Sequence, residues 1–191
     1  MKSIIIPAFV ILSSLTFASA KEMTYTIDPS HTATVFSWNH LGYSTPSANF
    51  KGINGEITLD QANMADAKVN VVINADNINS NDDIFDDKLK SSEWFDTEKF
   101  PEITFKSNKI IPLENDQYQV YGILTIKGIT KEISLQAKLN QKGLHPMANK
   151  EAVGFNATTK FNRSDFNMGA FVPAVSDEIT VNITVEAIAK E

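Results

Sequence analysis

The sequence predicts an all-β chain of antiparallel strands with one short helical segment, folded as a sandwich or a closed barrel. Three observations carry this reading. Apolar residues fall at every second position, as at Ile179, Val181, Ile183, Val185 and Ala187, the period that sets one row of side chains on each face of a strand. Clusters of Gly, Asn and Pro separate one alternating run from the next, as turns require. The alternation yields to helical spacing only between Ser80 and Asp96.

Strands are expected over residues 23–27, 32–41, 50–60, 67–75, 103–111, 117–127, 132–140, 151–163 and 178–187. Thr34, Phe36, Trp38 and His40 share one face. Val69, Val71 and Ile73 share another, as do Ile133, Leu135, Ala137 and Leu139, and Val153, Phe155, Ala157, Thr159 and Phe161. Most opposite faces are polar and can meet water. About eight such strands must hide their inner faces together, and closing the sheet removes exposed edges. In the helical segment, Ile84, Phe85 and Leu89 follow the helical spacing and Ser80 with Asp83 forms a candidate capping box,. Asp82, Asp83, Asp86 and Asp87 crowd its first turns, where the helix dipole favours negative charge,. They lack the ligand spacing and turn glycine of a calcium loop.

The N-terminus reads as an export signal: Lys2, an apolar run over residues 4–12, and Ala18-Ser19-Ala20 before Lys21,. Cleavage is expected after Ala20, leaving residues 21–191 as one exported domain. The run is too short to anchor the chain in a bilayer. The chain carries 17 basic and 23 acidic residues, a net charge of −6; losing Lys2 makes the mature chain one unit more negative. Such a surface repels nucleic acid and gains nothing from anionic lipid heads, so any transient membrane contact must rest on apolar surface. There is no cysteine, which excludes cysteine catalysis, zinc–thiolate sites and disulfide support.

Catalytic signatures are absent. No Gly-x-Ser-x-Gly elbow or Gly-rich phosphate loop occurs,, and the paired carboxylates fall in turns or at the helix start. None of His31, His40 and His145 has a second ligand at a metal-binding interval, so no metal site and no required cofactor is expected. The apolar inventory says more. A closed sheet of around eight strands is just wide enough to be filled by side chains or to admit one elongated ligand. Phe36, Trp38, Phe105, Leu124, Phe155 and Phe161 lie on the inward parity and are the expected lumen lining. His40 and Arg163 continue that parity, Arg163 with Asp165 as its expected partner,. The segment from Ile84 to Phe95, with Leu89 and Trp94, is the expected cover or gate.

Several motifs in fixed order then resemble one family. They are Asp28-Pro29-Ser30-His31 leading to Phe36 and His40-Leu41-Gly42, then Leu89-Lys90-Ser91 with Trp94-Phe95-Asp96, and Phe100-Pro101 with Ile103-Thr104-Phe105. Gly122-x-Leu124 running to Lys131, and Arg163-Ser164-Asp165-Phe166-x-Met168, complete the series. Together these resemble the YceI-like proteins. The resemblance implies an extended, lipocalin-like antiparallel β-barrel of about eight strands. It also implies a periplasmic protein that binds a polyisoprenoid, an isoprenoid quinone or a related long-chain lipid or amide, with homodimers among its members. It adds Phe166 and Met168 to the expected ligand contacts. Lys88 stands where the family usually has histidine, Asn77-Ile78-Asn79-Ser80 replaces a Ser-Ile-x-Thr pattern, Ile123 replaces a common aspartate, and Asn167 replaces a glycine. These departures bear on the identity of the ligand head group.

Overall fold

The computed structural model describes residues 22–60 and 63–190; the expected leader lies outside the described residues. Eleven strands form one antiparallel sheet: β1 (Glu22–Ile27), β2 (Ala33–Ser37), β3 (Ser47–Phe50), β4 (Asn54–Asp60), β5 (Lys68–Asn74), β6 (Ile78–Asn79), β7 (Glu102–Pro112), β8 (Gln117–Ile126), β9 (Ile129–Leu144), β10 (Glu151–Asn162) and β11 (Glu178–Ala189). One helix, α1 (Asp83–Lys90), interrupts them. Eight strands, β1-β4-β5-β7-β8-β9-β10-β11, close into a ring, because β11 pairs back onto β1 with Ala187 opposite Ile27 and Ala189 opposite Tyr25. The choice between sandwich and barrel is thereby made.

The other three strands extend the wall instead of adding a layer. β2 pairs with β11 beyond the end of β1, Phe36 opposite Val181; β3 pairs with β2, and β6 with β3. Each of β1/β2, β3/β4 and β5/β6 is therefore one bent rod in two halves. The expected single strand over residues 50–60 divides at 51–53, where Gly52 takes φ 67°, a conformation cheap only for glycine. The expected 32–41 strand stops at Ser37, although its in–out parity persists beyond that point. β6 is too short, at two residues, for any period to show.

The ends of the barrel differ in their connections. The upper end carries α1 and the loops over residues 38–46 and 163–177; the lower end carries the briefer connections at 113–116 and 145–150. Two clusters fill the wall accordingly. The upper one includes Phe36, Trp38, Phe50, Leu89 and Phe95, and the lower one Tyr25, Ile57, Leu59, Val120 and Leu135. Val71, Phe105, Ile133 and Ile183 touch both. In this middle belt the Phe105 ring lies across Gly122, where an added Cβ would sit 2.4 Å from Phe105 Cζ and 2.6 Å from the Lys106 carbonyl oxygen. Only glycine leaves the ring that place.

α1 starts differently from its expected capping box. Asp82 is the cap, accepting from the Phe85 N–H at 3.0 Å. Ser80 instead gives both its N–H (2.7 Å) and its hydroxyl (2.5 Å) to Asp86. Asp83 and Asp86 in the first turn and Lys88 and Lys90 in the last suit the dipole,. Eight residues are too few for a helix stable on its own,, so burial of Leu89 and the Phe85 contacts hold it in place. Of the three apolar residues at helical spacing, Ile84 is 84 % exposed, and the i, i+4 pair of Phe85 and Leu89 takes the inner face.

Candidate binding site: the barrel lumen

The inward rows of the wall enclose a cavity of about 320 Å³. Its lower part is lined by Ile57, Leu59, Val120 and Leu135, and its upper part by Phe36, Trp38, Phe50 and Phe95. One cavity thus runs through both clusters, and side chains do not meet across its whole length. Phe105, Leu124, Phe155 and Phe161 also face it, as do Leu89 and Trp94 from the helical excursion and Met168 from the loop after β10. Phe166 does not: fully buried, it stands behind Phe161 with ring centroids 5.4 Å apart, and the cavity wall excludes it. The turn at Arg163–Phe166 ends the strand alternation, so position 166 cannot be reached by counting in twos from Phe161.

The upper end is an aromatic cage. Phe36 stacks on Trp38 at 5.9 Å and on Phe50 at 5.6 Å, Phe95 meets Phe50 edge-on at 5.4 Å, and Phe85 lies 5.9 Å from Trp38. Such rings pack with defined geometry beyond simple burial. Of the lining residues only His40, Lys88 and Phe171 are exposed. The Lys88 ammonium lies over the Phe171 ring at 5.1 Å, and residues 39–41 are stitched to 174–176 by main-chain bonds, among them Leu41 N–H to the Ala174 carbonyl at 3.2 Å. The mouth is therefore at the α1 end. Neither Lys88 nor Phe171 was among the expected contacts; both lie outside any strand, where parity carries no information.

Arg163 is 4 % exposed and bonds no carboxylate. Its Nε donates to the Ser176 carbonyl at 2.9 Å, Nη2 to that of Val175 at 3.0 Å, and Nη1 to that of Met168. The guanidinium also sits 5.2 Å from the Trp94 ring centre. Burial pulls its pKa below the ordinary arginine value, against the opposing pull of Asp177,. Asp165, the expected partner, faces Lys131 at 3.9 Å: the turn carries it to the outside while the strand parity holds Arg163 within. Arg163 thus organises the loop over 163–177 from inside the lumen. Lys127, at φ 51° beside Gly128 at 71° in a two-residue hairpin turn,, donates to the carbonyls of Ser92 (2.7 Å) and Asn167 (3.2 Å) and ties that loop to the segment after α1. Asn167 itself has φ 55°, which asparagine tolerates better than other side chains do; this explains how it stands in a glycine's place.

Two buried polar atoms have no partner among the described residues, the Tyr25 hydroxyl and the Trp94 indole N–H. Trp94 flanks the cavity at the mouth end, and its N–H is a donor without an acceptor.

The profile of the YceI-like domain family matches residues 25–187. The YceI protein of Salmonella arizonae is 36% identical over 184 residues, which cover 94% of this chain and 95% of that one. The crystal structure of the Campylobacter jejuni YceI protein superposes with a TM-score of 0.72 at 33% identity, covering 80% of this chain and 90% of that chain. A polyisoprenoid-binding domain from Saccharophagus degradans shares the fold, with a TM-score of 0.67 at 13% identity over 87% of this chain and 98% of that one. The chain belongs to the YceI-like family.

Proposed function

We propose that this YceI-like protein binds a long-chain apolar molecule, a polyisoprenoid, an isoprenoid quinone or a related lipid or amide, and carries or stores it in the periplasm. The observation that bears most on this is the apolar cavity, open at the α1 end and bounded there by His40, Lys88 and Phe171. The polyisoprenoid-binding domain of Saccharophagus degradans, which has the same fold, supports the choice of ligand class. Burying a sixteen-carbon chain is worth roughly 13 kcal/mol at about 0.8 kcal/mol per methylene. A lumen offering comparable burial makes transfer from a bilayer nearly neutral, so cargo can be both collected and released. Lumen depth then selects tail length, and the few polar groups at the mouth select the head. A carbonyl or hydroxyl head group would supply the acceptor that Trp94 lacks.

Leu41, Tyr43, Ile84, Phe171 and Val172 are exposed apolar residues of the same end. In this reading they touch the membrane while cargo passes, a contact that owes nothing to charge given the net −6,. In this reading the protein acts as a binder, in keeping with the polyisoprenoid-binding domain that shares its fold.

The test is extraction of the protein purified from its native host, with mass spectrometry of the lipid fraction, and thermal unfolding with added prenyl quinone or long-chain fatty acid. Co-purifying lipid and a raised melting temperature are expected. An extract without lipid, together with an unmoved transition, overturns the reading. Transfer to zwitterionic vesicles should slow in Ile84→Glu and Phe171→Glu variants that melt normally.

A further inference from the structure

We infer that the outer wall of the barrel carries a second site, for a first-row divalent cation of the zinc class, built from Asp28, His31 and Glu186 and steadied by His145. The chain has three histidines, and two of them converge on Glu186 from distant parts of the sequence. One donor atom from each of Asp28, His31 and Glu186 lies within 4.8 Å of the other two. A tetrahedral zinc with bonds of about 2.1 Å holds its donors roughly 3.4 Å apart. His31, whose side chain is 64% exposed, is free to turn a ring nitrogen from Asp28 toward an ion held at that spacing.

The two carboxylates are already oriented. Ser30 N–H donates to Asp28 Oδ1 at 2.8 Å, which leaves Oδ2 toward His31 Nδ1, 2.8 Å away. His145 Nε2 lies 3.0 Å from Glu186 Oε1. The His145 ring is fixed in turn, since its Nδ1 accepts from the N–H groups of Met147 (3.2 Å) and Ala148 (3.0 Å). In the neutral ring the proton must then sit on Nε2, and it points at Glu186. A histidine N–H holding a ligating carboxylate in this way is a common support of metal sites.

The main chain fixes the spacing. Asp28 N–H donates to the Glu186 carbonyl at 2.8 Å, and Thr32 Oγ1 contacts both the carbonyl and the N–H of Glu186 at 3.4 and 3.3 Å. One imidazole and two carboxylates, without thiolate, suit Zn²⁺, Co²⁺ or Mn²⁺ better than Ca²⁺, Mg²⁺ or Cu⁺. The two carboxylates balance the charge of the ion. Glu186 lies on the outward parity between Val185 and Ala187, where β11 passes from its pairing with β2 to its pairing with β1. An ion here staples the seam at which the barrel closes. This inference stands independently of what the lumen holds.

The experiment titrates Zn²⁺ by calorimetry, and Co²⁺ by its visible absorption, into purified protein freed of metal by chelator. One equivalent should bind and raise the melting temperature with free ion concentration. Asp28→Asn, His31→Gln and Glu186→Gln should each weaken binding at least about 100-fold, and His145→Gln about tenfold, while His40→Gln binds normally. If Glu186→Gln loosens the fold, Asp28→Asn, a surface change, still decides. Absence of saturable binding, or binding undiminished by Asp28→Asn and His31→Gln, overturns the site.

Discussion

The two ends of the lumen are built by one alternating wall and do different things. At the lower end brief connections join long strands, the buried side chains are mainly aliphatic, and no lining residue is exposed. At the upper end three long connections meet, rings replace branched aliphatics, and the polar groups Arg163, Lys88, His40 and Trp94 gather. The difference teaches that a period of two builds the container, while the connections build its mouth. Strand pairing is rigid and repetitive; loops tolerate change and carry recognition.

Four substitutions would break or sharpen this contrast. The largest effect is expected for Arg163→Met, which leaves three main-chain carbonyls of the upper loop unpaired. It should cost about 4 kcal/mol in urea unfolding, with amide exchange rising over residues 163–177 and unchanged in β4 and β8. Equal loosening at both ends would contradict the division. Leu59→Ala in the lower cluster, at a site 2 % exposed, should cost about 3 kcal/mol. It should leave head-group preference intact, as judged by competition between lipids of one tail length; an altered preference would show that the floor also reads the head.

Gly122→Ala tests the belt between the ends. The new methyl collides with Phe105 and with main chain, so a loss of about 2 kcal/mol is expected, together with weaker lipid binding as the ring is pushed into the lumen. Unchanged binding would mean that the cargo stops short of the belt. The smallest effect is Tyr25→Phe. Burial raises the pKa of this phenol, and its hydroxyl has no partner among the described residues, so removal should stabilise the lower end by about 1 kcal/mol. A loss of that size would point to a hydrogen bond with an ordered water.

Much of the wall was legible from residues alone. Thr34, Phe36, Trp38 and His40 face the cavity in their expected register even past the end of β2, and so do Val69, Val71 and Ile73. Side-chain parity is a local property of extended chain, and it survives wherever the backbone stays extended. It fails at turns. Asp165 was misplaced because a helical turn replaces the strand at Arg163–Phe166, and one residue of slip moves a side chain to the other face; Phe166, expected from the family resemblance alone, packs behind Phe161.

What the amino-acid order determined unaided was nine alternating segments, most of their inner rows and the single helical excursion, since these depend on neighbours a few positions apart. Only the folded barrel decided that β11 returns to β1, that three rods bend, that Arg163 holds carbonyls instead of Asp165, and that Asp28, His31, His145 and Glu186 assemble at the seam. Those contacts join residues far apart along the chain, and no local period or spacing records which distant partners ring closure will bring together.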